Sequence, residues 1–238
     1  MYAAPSPVSF APAAIADTAL RRAADCSIDF ILLGLVAAHL DGAQHWSAWN
    51  QSAIVPASVR DVRFAIERPC RKYTHPTHGF DRHDPTRTVD VSDISCLGGW
   101  SAGNVVMSSA AAVNWTWALF GTTDVIPNAA LMVPNASDVY GLATFGFSGQ
   151  YANGTRGIAY GHLGDTYGFT SIVSYFPYKG LALAVGTNAE AREQTAPREV
   201  LCLAYNRVLD EIGGRAQKPR VCRYVARSYY ESGCECSA

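Results

Sequence analysis

The chain has 238 residues, of which 49% are hydrophobic and 16% charged, and its formal net charge is −1. This length fits one domain of ordinary size with a substantial core. The small net charge gives no electrostatic reason to expect nucleic acid or an anionic membrane as a partner. No apolar run approaches the roughly 20 residues that a membrane-spanning helix needs.

The first part of the chain predicts helices. Residues 13–24 are rich in alanine, and Ser27 is a plausible cap for an apolar helix over 28–40 that stops near Gly42. This apolar run ends in polar residues and is too short to span a bilayer, so we interpret it as a buried helix.

A further helix is predicted over 44–55, with Trp46 and Trp49 three positions apart on one face. Residues 67–97 then lose all periodicity and are rich in Pro, His, Asp, Arg and Thr. A segment of this length and composition predicts a long surface loop, and such loops in compact domains are usually functional or mobile.

The second half predicts a helix, a β block and a final helix. The first helix covers 108–120, capped by Ser108 or Ser109, and a short helix follows over 126–132. Alternation of apolar and small or polar residues then predicts strands at 139–147, 157–162, 170–176 and 181–185. Their tight spacing indicates antiparallel neighbours. The final helix is predicted over 198–212, with an apolar stripe of Val200, Leu201, Ala204, Val208 and Leu209.

These elements predict a fold of the α+β type within the broad α/β class. We expect an antiparallel sheet packed by N- and C-terminal helices, with a helical and loop-rich segment before it. No repeat or linker divides the chain, so a single domain over residues 1–238 is predicted, ending in a cysteine-containing tail at 214–238.

The most informative segment runs from Tyr160 to Phe169, with the sequence YGHLGDTYGF. A histidine beside glycines lets a ligand approach both the imidazole ring and the backbone N–H groups. Two apolar runs follow, separated by the turn signal Pro-Tyr-Lys-Gly at 177–180. Taken alone, the segment also fits an ordinary strand histidine in a glycine-rich hairpin.

This segment resembles the third active-site motif of serine β-lactamases and penicillin-binding proteins of the class C, D,D-peptidase type. The matching features are His-Leu-Gly at 162–164, then Gly-Phe at 168–169, and a strand–turn–strand that ends in Gly-Thr-Asn at 186–188. Three further stretches resemble the same family in the same order, at 25–36, 98–110 and 126–133. The resemblance covers about residues 25–213 and implies the C-terminal portion of a β-lactamase/transpeptidase-like fold.

The resemblance implies an acyl-enzyme serine hydrolase that acts on amides, esters or peptides without a cofactor. It assigns His162 to the wall of the catalytic pocket, where the imidazole would bind a substrate carboxylate or assist proton transfer. It assigns Gly164, Asp165 and Thr166 to substrate binding, with the strand backbone helping to form the oxyanion hole. The expected partner is a small molecule or a peptide.

The sequence departs from this family at the nucleophile. In Ser-x-x-Lys the spacing places the hydroxyl and the amine on one helix face, where the amine activates the serine. The lysines here are Lys72, Lys179 and Lys218, and none follows a serine by three positions. Asp25 also stands where the family has its general-base tyrosine. We therefore predict no β-lactamase or D,D-peptidase turnover, and either a truncated enzyme or a non-catalytic binding or structural protein.

A different nucleophile is offered by Gly99-Trp-Ser101-Ala-Gly103, which matches the Gly-x-Ser-x-Gly pattern of α/β-hydrolases. That motif needs a buried strand before it, so that a sharp turn lifts the serine above the sheet. The preceding residues 89–96 contain two aspartates and no continuous apolar run. Asp138 and His162 nevertheless follow in the hydrolase order. An esterase that uses Ser101 therefore stays an alternative to a structural glycine turn.

Five residues of the long loop suggest metal ligands, but the composition around them favours a solvated loop over a zinc site. They are Cys70, His75, His78, His83 and Cys96. We therefore expect no metal.

Several features favour a secreted parent protein. The chain has seven cysteines, and it has Asn-x-Ser/Thr sites at Asn50, Asn114, Asn135 and Asn153. A disulfide between Cys70 and Cys96 would staple the long loop, and the C-terminal cysteines would pin the tail, although unpaired thiols fit the sequence as well. The first 25 residues make a poor signal peptide, so we expect the natural N-terminus to lie upstream of Met1.

Overall fold

The protein is represented by a computed structural model that describes residues 27–53, 55–59, 61–65, 77–82, 84, 86–92, 99–134, 140–147, 159–166, 168–190 and 195–213. Three helices lie in these ranges: α1 (Ser27–Leu40), α2 (Ser109–Phe120) and α3 (Thr195–Gly213). Short 3-10 turns occur at Trp46–Ala48, Gln51–Ala53 and Ala129–Leu131. The strands are β1 (Arg63–Phe64), β2 (Phe80–Asp81), β3 (Val89–Asp90), β4 (Val105–Val106), β5 (Phe145–Gly146), β6 (Tyr160–Thr166), β7 (Phe169–Phe176), β8 (Leu181–Thr187) and β9 (Ala189–Glu190).

The main sheet has the strand order β5-β6-β7-β8, and all of its neighbours are antiparallel. Val173 at its centre lies opposite His162 on β6 and opposite Ala184 on β8. Residues directly opposite each other in a sheet point to the same face, and successive residues point to opposite faces. The register therefore places His162, Val173 and Ala184 on one face and their chain neighbours on the other.

Two helices cover the two faces of this sheet. On one face, Ile172 and Phe176 of β7 pack with Leu201 and Tyr205 of α3, and the rings of Phe176 and Tyr205 stack with centroids 4.1 Å apart. On the other face, Tyr175 lies against α2, where its ring centroid is 6.1 Å from that of Phe120. The result is a three-layer arrangement of helix, sheet and helix.

The sequence of α3 explains its position. Pro197 lies in the first turn, where a missing N–H costs no hydrogen bond. Leu201, Tyr205 and Leu209 recur every four residues and form the buried face. Val200, which we predicted on this stripe, is instead 47% exposed. Cys202 on the buried side is disulfide-bonded, and the predicted tail at 214–238 lies outside the described residues.

The predicted helix over 44–55 is wrong. The segment forms two separate 3-10 turns, because Trp49 after the first turn is extended, with φ −66° and ψ 126°. This bend lets Trp46 and Trp49 both pack inward with Ala38 of α1 and with Phe64. Burial of two indole rings thus outweighs the local helix preference.

The prediction that an N-terminal helix packs on the sheet is only partly right. The helix opposite α3 is α2, which is capped by Ser108, one of the two predicted serines, through a hydrogen bond accepted from the Ala111 N–H. The earlier helix α1 contributes Ala38 to a second, smaller core, where Ala38 packs with Trp46 and Trp49. Within the described ranges, each helix is too short or too polar to cross a lipid bilayer.

The strand predictions need three corrections. The strand predicted over 157–162 continues to Thr166, because Gly164 to Thr166 pair with the start of β7. The strand predicted over 139–147 reduces to β5, with one isolated bridge between Tyr140 and Phe145. The described part of the predicted loop 67–97 contains β2 and β3, which pair antiparallel. In contrast, the predicted hairpin of β7 and β8 is confirmed.

A tight junction at Gly168 attaches the β2–β3 hairpin to the main sheet. The Gly168 N–H donates to Glu190 Oε2 at 2.7 Å, and the Phe80 N–H is shared between the carbonyls of Gly168 and Asn188, each at 3.1 Å. Gly168 has φ +83°, and a Cβ there would lie 2.4 Å from the carbonyl carbon of Gly79. Only glycine satisfies both the backbone angle and the close approach.

We expect Gly168→Ala to lower the free energy of unfolding by about 2 kcal/mol or more, because it adds left-handed strain to a backbone clash. The matched control is Gly186→Ala on β8, where an added Cβ meets nothing within 4 Å. That variant should differ from the parent by less than about 1 kcal/mol. Urea unfolding midpoints measure both, and equal midpoints for the two variants would contradict the account of this junction.

Candidate functional site

The site centres on His162, a half-buried residue in the middle of β6. Its Nδ1 lies 2.5 Å from the backbone carbonyl oxygen of Leu163, and its Nε2 lies 2.9 Å from the phenol oxygen of Tyr140. A carbonyl oxygen only accepts hydrogen bonds, so Nδ1 carries the proton of the neutral ring. Nε2 is then an acceptor, and the Tyr140 hydroxyl donates to it.

Aromatic rings hold this histidine–tyrosine pair (His162 and Tyr140) in place. The Tyr140 ring meets the imidazole edge to face, with centroids 5.7 Å apart, and the Phe145 ring lies 5.1 Å from the imidazole. Tyr140 and Phe145 also contact each other at 4.5 Å. Such contacts restrict ring rotation, so both hydrogen-bonding atoms of the imidazole keep a defined direction.

Small residues continue the same sheet face beside His162. Gly164 lies opposite Ser171, which lies opposite Gly186 on β8. A Cβ on Gly164 would come within 2.3 Å of Ser171 Oγ, whereas a Cβ on exposed Gly186 would meet open space. We call this row of Gly164, Ser171 and Gly186 the small-residue row. Ser171 Oγ fills the space above Gly164 and the space above Gly186 is open, so the row makes this part of the sheet face shallow.

The other two predicted binding residues are placed differently. Asp165 is the cross-strand partner of Thr170, on the face opposite to His162. Thr166 ends β6 and pairs with Phe169. The structure therefore brings His162 and Gly164 together on one face, and it directs Asp165 toward the α3 side of the sheet.

Ser101 lies in a turn against α1. Its hydroxyl donates to the carbonyl oxygen of Phe30 at 2.7 Å, and a Cβ on Gly34 would come within 2.0 Å of Ser101 Oγ. The acceptors of this hydroxyl are therefore carbonyls of α1. Among the described residues, the rings that contact His162 include Phe145 of β5 and Tyr140 before it. Asp138, the third member of the hydrolase pattern, lies outside the described residues.

Of the five suggested metal ligands, only His78 lies within the described residues. Its Nδ1 lies 2.7 Å from Asp90 Oδ2, and both side chains are exposed. Across the part of the chain that the structure describes, no three His, Cys, Asp or Glu side chains converge on a possible metal site.

Tyr140 is the residue that sequence reasoning missed. The resemblance placed the general-base tyrosine at the position of Asp25. Tyr140 instead precedes β5 and reaches His162 across 22 positions of the chain. The only local signal was the aromatic pair Tyr140 and Phe145 around a turn, and such a pair also fits a plain core.

Solved structures with a similar fold include two D-specific amide hydrolases and SurE. D-amino acid amidase from Ochrobactrum anthropi SV3, in complex with L-phenylalanine amide, matches with a TM-score of 0.57 and 18% identity over 79% of this chain and 57% of that chain. The D-stereospecific amidohydrolase from Streptomyces sp. matches with a TM-score of 0.54 and 20% identity over 80% and 54%. SurE matches with a TM-score of 0.51 and 20% identity over 82% and 46%.

These likenesses show the fold, which is β-lactamase/transpeptidase-like. The chain spans about half the length of the solved structures that it resembles. No protein-family model and no curated protein sequence matches it.

The exposed carboxyl of Asp90 provides a test of the β2–β3 hairpin. Hydrogen bonds from the Ser92 hydroxyl and backbone N–H, followed by the contact with His78, lower the pKa of Asp90 from 3.8 to about 2. Because the folded pKa is the lower one, the stabilisation is present above pH 3.8 and is lost as the pH falls through about 2. We expect Ser92→Ala to raise the pKa of Asp90 more than His78→Ala does, measured by carboxyl ¹³C titration. A larger effect of His78→Ala would contradict this order of causes.

Proposed function

We propose that this chain is the C-terminal portion of a β-lactamase-related serine hydrolase of the acyl-enzyme type. In this proposal its described residues form one wall of a ligand groove. The observation that carries the proposal is the placement of His162 on the same sheet face as the small-residue row, in a fold shared with D-specific amide hydrolases. The small-residue row keeps this face shallow beside the histidine, and the His162–Tyr140 pair adds a polar edge to it.

The proposed ligands are small amides, esters or peptides. A ligand amide can lie against this face at Gly186, where an added Cβ would meet nothing within 4 Å, beside the Ser171 hydroxyl that fills the space above Gly164. The chemistry also agrees with that of the solved amidase bound to L-phenylalanine amide. For this chain, His162 and Gly164 are the proposed binding residues. Asp165 and Thr166, which the resemblance also assigns to substrate binding, follow on the same strand, and Asp165 points to the opposite face.

We further propose that the chain as given binds such ligands without turning them over. The sequence contains no serine three positions before a lysine, so the amine that activates the family nucleophile is missing. A non-catalytic binding protein that uses the same groove is the alternative from a different functional class. A secreted parent protein belongs to the same proposal, supported by the disulfide-bonded Cys202 and by exposed Asn50 and Asn114.

Acylation by a fluorescent penicillin tests the proposed lack of turnover. We expect no covalent label on the protein after denaturing electrophoresis and no hydrolysis of a chromogenic cephalosporin. We also expect no release of ammonia from D-phenylalanine amide above the rate of His162→Ala. The physical reason is that acyl transfer needs an activated nucleophile, and a groove that only binds the ligand supplies none.

Binding must be measured in parallel, because a protein that binds without turnover and a protein that does not bind at all would both be inactive. Saturable shifts of the Gly164 and Ser171 amide resonances with L-phenylalanine amide are expected, and they should weaken in His162→Ala. A covalent penicillin adduct would overturn the proposed inactivity. Absence of any shift at these amides would overturn the groove.

The esterase alternative is tested by Ser101→Ala. The variant loses the hydrogen bond from Ser101 Oγ to the Phe30 carbonyl, so stability should fall by about 1 kcal/mol. Any hydrolysis of p-nitrophenyl acetate should stay at the parental rate. If Ser101→Ala abolishes that hydrolysis while the protein remains folded, Ser101 is the nucleophile and the alternative replaces the first proposal.

A further inference from the structure

Two of the Asn-x-Ser/Thr sequons lie within the described residues, and the structure presents them in different ways. The first is Asn50-Gln51-Ser52, at the second 3-10 turn, and the second is Asn114-Trp115-Thr116 inside α2. A sequon accepts an N-linked glycan on the amide nitrogen of its asparagine. Because the hydroxyl two positions later is part of the recognised sequence, both groups must be accessible to the enzyme at the same time.

The fold holds the first sequon with its amide and its hydroxyl outward. Asn50 and Ser52 are exposed, whereas Trp49 before them is buried. Between them, the Gln51 Nε2 donates to the Phe64 carbonyl at 3.2 Å, and the Phe64 N–H donates to Gln51 Oε1 at 2.6 Å. With Trp49 and Gln51 both held by the rest of the chain, the two side chains that the modification requires face the solvent.

Ser52 also orients the Asn50 amide. Its N–H and its hydroxyl oxygen lie 3.2 and 2.7 Å from the same side-chain atom of Asn50. A backbone N–H can only donate, so that atom is the oxygen Oδ1, and Nδ2 lies on the other side of the amide. Nδ2 is the nitrogen to which a glycan is attached, and no described residue accepts a hydrogen bond from it.

The second sequon exposes its asparagine but buries its hydroxyl. Thr116 is 1% exposed, and its Oγ1 donates to the Ala112 carbonyl at 2.8 Å. Positions two apart on an α-helix lie about 200° apart around its axis. The Asn114 amide and the Thr116 hydroxyl therefore point to nearly opposite sides, and α2 would have to open locally before an enzyme could bind both.

From this difference we propose that Asn50 is an attachment site for an N-linked glycan on the folded protein. In the transfer, Nδ2 loses one proton to a base of the transferase and forms a bond to the anomeric carbon of the first sugar. The bond from that carbon to the pyrophosphate of a lipid-linked oligosaccharide breaks, and the lipid pyrophosphate leaves. The Ser52 hydroxyl donates to Oδ1, so it stabilises the negative charge that the amide gains as the proton leaves. In the cell this modification rests on the proposed secretion.

The experiment incubates the purified, folded full chain with an oligosaccharyltransferase and a lipid-linked oligosaccharide. Peptide mass spectrometry then measures the occupied fraction at Asn50 and at Asn114. Synthetic peptides spanning 47–55 and 111–119 give the reactivity of each sequon without the fold. Relative to these peptides, we expect the folded chain to be modified at least about tenfold more at Asn50 than at Asn114, because α2 must first open.

Four variants make the assignment specific. Asn50→Gln removes the acceptor amide and Ser52→Ala removes the hydroxyl, so both should lose the modification at position 50. Ser52→Thr keeps a hydroxyl and should retain the modification. Asn114→Gln changes the other sequon and should leave the occupancy of Asn50 at the parental value. Loss of the glycan in Ser52→Thr would contradict the role given to the hydroxyl.

Failure to modify Asn50 in the folded chain would overturn the inference, and so would equal relative occupancy at the two positions. The transfer needs neither a groove ligand nor secretion of the protein, so its outcome is independent of the acylation and binding results. A modified Asn50 together with unshifted Gly164 and Ser171 amides would refute the groove and leave the glycan site standing.

Discussion

The backbone pairing of β6 with β7 determines which side chains of the main sheet point to each of its two faces. His162 lies opposite Val173, and Leu163 lies opposite Ile172. Because side chains alternate along a strand, a shift of β6 by one residue would send His162 toward α3 and turn Leu163 out of the core. The packing of α3 against Ile172 and Phe176 therefore fixes the register, and the register fixes which face carries the candidate site.

The hydrogen-bonding roles of the two His162 nitrogens are set by one residue that is adjacent in sequence and by one that is distant. The proton of His162 is placed by the carbonyl of the next residue, Leu163, which the strand conformation holds nearby. The second ring nitrogen is then satisfied by Tyr140, which comes from a different segment. The Leu163 carbonyl thus defines the donor side of this imidazole, and the Tyr140 phenol occupies its acceptor side.

Sequence reasoning succeeded where the signal was local and failed where it was not. The cap at Ser108, the stripe of Leu201 and Leu209 and the hairpin turn after Phe176 all follow from short-range patterns, and all are confirmed. The segment around Trp46 has an equally helical pattern, but burial of its indole ring against distant residues decides its conformation. Tyr140 likewise meets His162 only in the folded chain, so no spacing rule could have found it.

The parallel pairing of β2 with β9 has a consequence for the order of folding. Asn188 Nδ2 donates to the carbonyl of His78, a contact that spans 110 positions of the chain. Closing so long a loop costs conformational entropy before its stabilising contacts can form. The β6–β7–β8 meander, in contrast, closes only short turns. We therefore expect the hairpin that carries His78 to dock after the main sheet has formed. In pulsed hydrogen exchange, amides of β7 should gain protection before the amide of Phe80 does.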